Sequence, residues 1–540
     1  MSLVIRNGTV YDPANGIDGE VKDIHIEGGK IVEEAEGQEI DASGLIVLPG
    51  GVDIHTHIAG SKVNLGRLFR PEDHRRDRYV KTDVARSGVG YSVPTTFVTG
   101  YRYARMGYTT VMEAASPPLT AKHTHEELND TPILDKGAYT LMGNNHFIMR
   151  YVKNGEHEKL RDYVAWLLEA TKGYTIKIVN PGGVENWKWG KNVDSIDDHV
   201  DNYDVTPREI LTGLGKANDD LGLPHSIHVH ANNLGAPGNF ETTAQTIKCV
   251  KNRLHMTHLQ FNAYAGNDWT DFSSGVPELA KMINRRDNIT CDMGQVIFGE
   301  TTTMTADGPW QHHLYEITGN KWFNADVEME TGAGVVPYFF HRKNPVNAVQ
   351  WAIGLEIALM VKDPWKVCLS TDHPNGGPFY MYPKIISWLM SKKARDKTVS
   401  TINKSAGKRT SIDTLDREYS LMEIATITRA TTSRALGLKN KGHLGVGADA
   451  DISVYEFDEK HIQRSFSRAR YTIKDGVIVV RDGEITGSPM GKTFWVDAHG
   501  QLTDEVREEF PKFYTVSLDN YPVQKEYLPR EEVIRTNHGG

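Results

Sequence analysis

Six short apolar runs recur along this chain: YTTVMEA (108–114), YTIKIVN (174–180), HSIHVHAN (225–232), RLHMTHLQ (253–260), NITCDMGQV (288–296) and KVCLSTDH (366–373). Longer stretches with helical patterning separate or follow them: 159–171, 207–221, 240–251, 276–285, 345–362, 383–395 and 420–435. Two parallel strands need a crossover of a dozen or more residues between them, and a helix supplies it. A β-then-α alternation kept up from about 49 to 436 predicts an α/β fold, most simply a (β/α)8 TIM-type barrel. A chain of 540 residues exceeds one core, so a second, smaller domain is expected.

The ends of the chain have the texture of that second domain. Residues 1–48 read as short strands, LVIRNGTVYD, DIHIEGGKIV and EIDASGLIVLPG, broken by N-G and G-G turns. The pattern returns in GADADISVYEFD (447–458), RYTIKDGVIVVRDGEI (470–485) and TFWVDAHG (493–500). The expectation is one β-sandwich built from 1–48 and 437–500, with 501–540 as a C-terminal packing arm. Part of the long stretch 61–160 reads as an elaborated loop over the barrel mouth.

Composition narrows the chemistry. The net charge is −9 and the basic cluster RPEDHRRDR (70–78) is short and mixed with acids, which argues against nucleic-acid binding. The N-terminus has no charged n-region or cleavage site, and the default compartment is the cytoplasm. The three cysteines, Cys249, Cys291 and Cys368, are more than 40 residues apart, and no G-x-G-x-x-G opens a helix. An Fe–S cluster, a nucleotide or another redox cofactor in this chain is therefore not expected.

The polar residues at the strand ends carry the positive signal. In GGVDIHTHIA (51–60), His55 and His57 stand two apart and share a face. Two imidazoles aimed into one pocket begin a metal site. Lys177 lies inside YTIKIVN with Ile176 and Ile178 on the opposite face. An inward lysine is costly as a cation. It is either carboxylated by CO₂ to an anionic carbamate that can bridge two cations, or it reaches solvent or pairs with an acid. HSIHVHAN offers His225, His228 and His230, with His230 favoured as nearer the strand end; HMTHLQ offers His255 and His258, with His258 favoured likewise. Asp372 ends the last strand, where a carboxylate can bind a metal and take a proton from water. His373 beside it reads as structural, and KHTHEE (122–127) as a capping or solvated segment rather than a rival metal motif.

Paired histidines, a lysine, two separate histidines and an aspartate, in that order at strand ends, resemble the amidohydrolase superfamily. That resemblance covers residues 1 to about 490 and implies a binuclear metal centre in a barrel beside a small β-sandwich. The expected ligands are His55, His57, Lys177 as N6-carboxylysine, His230, His258 and Asp372, around two divalent ions, with zinc suiting the mixed donors. Longer segments, RPEDHR, TGYRYARMGYTTVMEAASPP, KIVNPGG, GAGVVPY and LSTDHPNGGPF, resemble the A subunits of formylmethanofuran dehydrogenase. This implies a non-redox subunit of an archaeal complex of methanogenesis. Its partners would be a molybdenum or tungsten pterin subunit that forms formate from CO₂, and Fe–S subunits. Its own step would join formate to the amine of methanofuran, with Asp372 as the proton carrier. The competing readings are the A-like subunit of a bacterial formyltransferase/hydrolase complex, a cyclic amide hydrolase of the dihydropyrimidinase kind, and a non-catalytic assembly subunit.

Overall fold

The computed structural model describes residues 2–75, 78–325 and 333–536. Arg76 and Asp77 of the 70–78 cluster, Gly332 of GAGVVPY and the last four residues of the arm lie outside these ranges.

Eight strands pair in parallel and in chain order: β1 (Gly51–Thr56), β2 (Tyr108–Ser116), β3 (Asp135–Leu141), β4 (Ile176–Val179), β5 (Ile227–His230), β6 (Leu254–Met256), β7 (Ile289–Asp292) and β8 (Val367–Cys368). The last strand returns to the first through a parallel bridge between Thr56 and His373, with His57 N–H donating to His373 O at 2.7 Å. The alternation read from sequence is thus a (β/α)8 barrel. The expected helices are present, except that 383–395 is split at Ser391 into Tyr382–Met390 and Lys392–Val399, and the helix Pro345–Met360 is buried along nearly its whole length.

β3 is a strand the sequence reading placed within the elaborated stretch 61–160. Its opening residues Asp135 and Lys136 are charged and disguise it. Both are buried because Asp135 accepts Lys441 Nζ at 2.5 Å and Lys474 Nζ at 3.0 Å, while Lys136 Nζ donates to Thr131 O at 3.0 Å. The rest of the stretch includes the helix Ser61–Phe69, which packs Val63 with Val93, Met304 and Val335 on a ribbon between β7 and β8. That ribbon, Gly299–Thr305 antiparallel to Ala333–Phe340, and the helix Gly308–Thr318 have no counterpart in the sequence reading. The RPEDHR segment holds it: Arg70 donates to Thr301 O at 2.7 Å and Thr302 Oγ1 at 2.9 Å.

The two ends of the chain form one mixed nine-stranded sheet with its own core, including Leu3, Ile5, Val47, Ile452 and Val454. One segment expected there belongs elsewhere. Thr493–Asp497 pairs in parallel with β3 at Lys136 and Gly137, and Glu531–Arg535 of the arm pairs with it in turn. Gly137 eases the approach, since a Cβ there would stand 3.1 Å from Phe494 O of the arriving strand. The small domain is joined to the barrel by buried charge: Lys441 Nζ also meets Asp449 and Asp451 at 2.7 Å each.

Candidate metal centre

β1 ends by turning His55 and His57 into the barrel mouth. His55 Nε2 lies 2.9 Å and His57 Nε2 3.2 Å from the same atom, Asp372 Oδ1. His55 Nε2 and Asp372 Oδ1 are buried without a hydrogen-bond partner among the described residues. His258 joins them: His55, His258 and Asp372 each offer a ligand atom within 4.8 Å of the others. His258 and Asp372 hold left-handed backbone, φ 33° and 50°, a strain that gathers at functional sites because surrounding structure must enforce it. Burial, then the neighbouring Lys177, pushes His55 well below the usual imidazole range; burial, then His230, does so for His258. Both rings are therefore neutral, the form that binds a cation.

Lys177 is 1 % exposed, and its Nζ has no hydrogen-bond partner among the described residues. The reading in which it reaches solvent does not hold. Burial pushes its amine down to about 7, against the opposing pull of Asp372 and Asp292. A neutral amine is the species that adds to CO₂.

His230 Nε2 donates to Asp307 Oδ2 at 2.9 Å, and the ring stands 4.8 Å from that of His258. That leaves its Nδ1 for a ligand. His228 lies one layer deeper, level with Lys177 and His255 across three adjacent strands. His255 spends its nitrogens on Thr290 Oγ1 (2.8 Å) and Asp292 Oδ2 (3.1 Å). His373 Nδ1 accepts Phe379 N–H at 3.2 Å, which fits a structural role. KHTHEE falls on the helix Ala121–Asp130, where Glu127 accepts Gly60 N–H at 2.7 Å and His125 Nε2 meets Thr171 O at 2.9 Å.

Sequence reasoning missed the groups behind the candidate ligands. Glu113 on β2 meets His57 Nδ1 at 3.0 Å and accepts the N–H of Ile58 (2.7 Å) and Ala59 (3.0 Å). Burial alone would raise this carboxyl, but Lys62, His57 and the Ala59 N–H hold it at about 2. A lone acid inside TTVMEAAS was the available signal. Asp307, behind His230, sits in the helix cap after the unforeseen ribbon and gave none.

A cavity of about 550 Å³ opens onto Asp372, walled by Leu234, Phe261, Trp310, Tyr338 and Phe340 with Asn375 beside them. Concave apolar walls with a few polar groups at one end are the form of a small-molecule site. At that end, unpaired buried ligand atoms of mixed N and O type converge from strands far apart in sequence, which fits a divalent cation.

The comparisons with known proteins agree with this chemistry. Residues 38–480 match the model of the amidohydrolase family, Amidohydro_3. The chain is 51% identical to protein FwdA of Methanocaldococcus jannaschii, over 99% of each chain. It is 37% identical to the A subunit of the formyltransferase/hydrolase complex Fhc of Methylorubrum extorquens, over 97% of each. The crystal structure of that complex with methylofuran contains a chain that superposes with a TM-score of 0.92 at 35% identity, covering 99% of this chain and 100% of that one. The chain belongs to the amidohydrolase family, in the branch that holds FwdA and its counterpart in the formyltransferase/hydrolase complex.

Proposed function

We propose that this chain is the A subunit of a formylmethanofuran dehydrogenase complex. It joins formate to the amine of methanofuran and, in reverse, hydrolyses the N-formyl amide. The observation that carries the reading is the convergence of His55 and His57 on the unpaired Oδ1 of Asp372, at 2.9 and 3.2 Å, beside a buried Lys177 whose Nζ has no hydrogen-bond partner among the described residues. Identity of 51% to FwdA against 37% to the bacterial protein favours this complex over the formyltransferase/hydrolase one.

His55, His57, His230, His258, Asp372 and a carboxylated Lys177 would hold two zinc ions. Such a pair supplies Lewis acidity to a carbonyl oxygen and makes water acidic near neutral pH. Asp372 takes a proton from the attacking water and delivers it to the departing amine nitrogen; in condensation it returns that proton to the leaving water. Phe261, Trp310 and Tyr338 give the cavity an aromatic wall suited to a furan ring. Condensation is uphill in water, and a formate supply from a molybdenum or tungsten pterin subunit with Fe–S partners, in the cytoplasm, drives it. No helix among the described residues is long and apolar enough to cross a membrane.

The test is formate release from N-formylmethanofuran by the zinc-loaded chain, with native mass spectrometry of the assembly. Opening of dihydropyrimidine or dihydroorotate rings without formyl cleavage would overturn the reading, as would CO₂ reduction by the isolated chain.

A further inference from the structure

Three buried imidazoles run in line from the metal centre to the barrel floor. His55 Nδ1 lies 2.8 Å from His228 Nε2, His228 Nδ1 lies 3.0 Å from His225 Nε2, and His225 Nδ1 lies 2.6 Å from Ala435 O. Ala435 is in the last turn of the helix Thr431–Leu436, where carbonyls lack helical partners. We propose that His228 is a positioning residue for the ligand His55, and that the chain His55–His228–His225 sets the tautomer of His55 from the carbonyl of Ala435. The proposal rests on the metal-site reading above.

The argument is one of donors and acceptors. A carbonyl only accepts, so His225 Nδ1 carries a hydrogen. In a neutral ring Nε2 is then an acceptor, and His228 Nδ1 must donate to it. His228 Nε2 is left as an acceptor, so the hydrogen of the next contact belongs to His55 Nδ1. The lone pair of His55 is thereby fixed on Nε2, the atom that faces Asp372 Oδ1 at 2.9 Å. Thr257 Oγ1 touches the same Nδ1, and with the hydrogen placed there by the relay its hydroxyl oxygen would accept it too. All three rings are buried, which keeps them in the neutral form this relay needs.

The arrangement is not itself a metal cage. His225, His228 and His255 do bring one nitrogen each within 4.8 Å of one another, yet every ring nitrogen of the three is hydrogen-bonded. The unpaired atoms are others: His55 Nε2, Lys177 Nζ and Asp372 Oδ1. The other two supported ligands differ: His57 leans on Glu113 and His230 on Asp307. A neutral partner orients His55 without adding another negative charge near Asp292, whose Oδ2 is 3.9 Å from His55 Nδ1.

The test measures zinc affinity of the full chain by competition with a chromophoric chelator, and the visible spectrum of the Co²⁺-loaded chain. Removing such an outer partner weakens metal binding by about 10–100-fold. His228→Leu should show that loss and a shifted Co²⁺ band while the melting of the metal-free chain is unchanged. His228→Gln, which can place an amide oxygen where Nε2 stands, should recover most of the affinity. His225→Leu, one link further out, should lose less than His228→Leu. If His228→Leu does not fold, the comparison of His228→Gln with His225→Leu decides. Wild-type affinity in His228→Leu overturns the proposal, and so does a drop in metal stoichiometry that Gln fails to restore, since His228 would then be a ligand. His55→Ala is the control for the site: if it retains both ions, the metal-site reading itself has failed.

Discussion

Nε2 of His55 lies 2.9 Å from Oδ1 of Asp372, and the two atoms are not hydrogen-bonded to each other or to any described residue. Two donors about 2.1 Å from a shared tetrahedral ion stand roughly 3.4 Å apart, so an ion bound between them on the proposed reading would part these two atoms by about 0.5 Å. On the proposed reading Asp372 both binds and carries the proton. Asp372→Asn keeps size and some ligand capacity but cannot carry a proton. Metal content should fall modestly and formyl-amide turnover by about 10²–10⁴-fold. His55→Ala should lose metal first. Near-normal turnover in a fully metallated Asp372→Asn protein would send the proton through another group, with His373 or His228 next to be tested.

Lys177 gives a pH dependence. Its amine is pushed down to about 7 by burial, so below that pH it is increasingly an ammonium that cannot add to CO₂. Each further unit of acidity leaves about tenfold less neutral amine. Metal-stripped chain reloaded with zinc at constant dissolved CO₂ should regain activity well above pH 7 and poorly below it. With ¹³CO₂, a carbamate carbon signal should follow the same curve and be missing in Lys177→Gln. A fully metallated, active chain with no such signal would remove the bridge from the account.

How much of this was legible beforehand differs by residue. The ligand candidates could be read because each sits at the end of an apolar run, where alternation assigns a face: His55 and His57 by spacing, His230 over His228 by position. What lay behind them could not. Glu113 touches His57 across 56 positions of sequence, and Asp307 reaches His230 from a helix cap that no periodicity announced. β3 hid for a related reason. Its polar start, Asp135 and Lys136, is compensated by Lys441, Lys474 and a backbone carbonyl, partners that local pattern does not contain. Likewise Thr493–Asp497 reads as a generic strand, and its partners, Lys136 and Gly137 far earlier in the chain and Glu531–Arg535 of the arm, are not in its local pattern.

Glu113 is the clearest of the missed residues to test. Glu113→Gln keeps an acceptor for the Ile58 and Ala59 N–H groups but removes the charge that faces His57. The carboxyl is held at about 2, so it is ionised throughout the working range. Loss of an anionic partner behind a ligand imidazole lowers metal affinity by about 10–100-fold. Chelator competition should show that loss with the far-ultraviolet dichroism unchanged. An unaltered affinity would mean that Glu113 serves only the backbone turn at 58–59.

The joint between the domains makes a separate prediction, one of stability. Lys441 is buried among Asp135, Asp449 and Asp451 at 2.5, 2.7 and 2.7 Å. Burial alone would lower its amine, but the three carboxylates raise it well above the ordinary lysine value, so it is a cation in the folded chain at every working pH. Lys441→Met fills the space and removes the charge, leaving Lys474 as the cation that still meets Asp135 and Asp451. Breaking a buried ion pair from one side costs about 3–5 kcal/mol, because the remaining charge is left uncompensated. The apparent melting temperature should drop by several degrees. Asp135→Asn in the same chain should restore part of it, since it removes one of the stranded charges. The metal content of the folded fraction should not change, because the cluster ties β3 to the small domain at the strand's start, the end of the barrel away from Asp372. A variant that melts like the wild type would mean that water or the neighbouring lysine already compensates these carboxylates, and that the two domains are held by their apolar contacts alone.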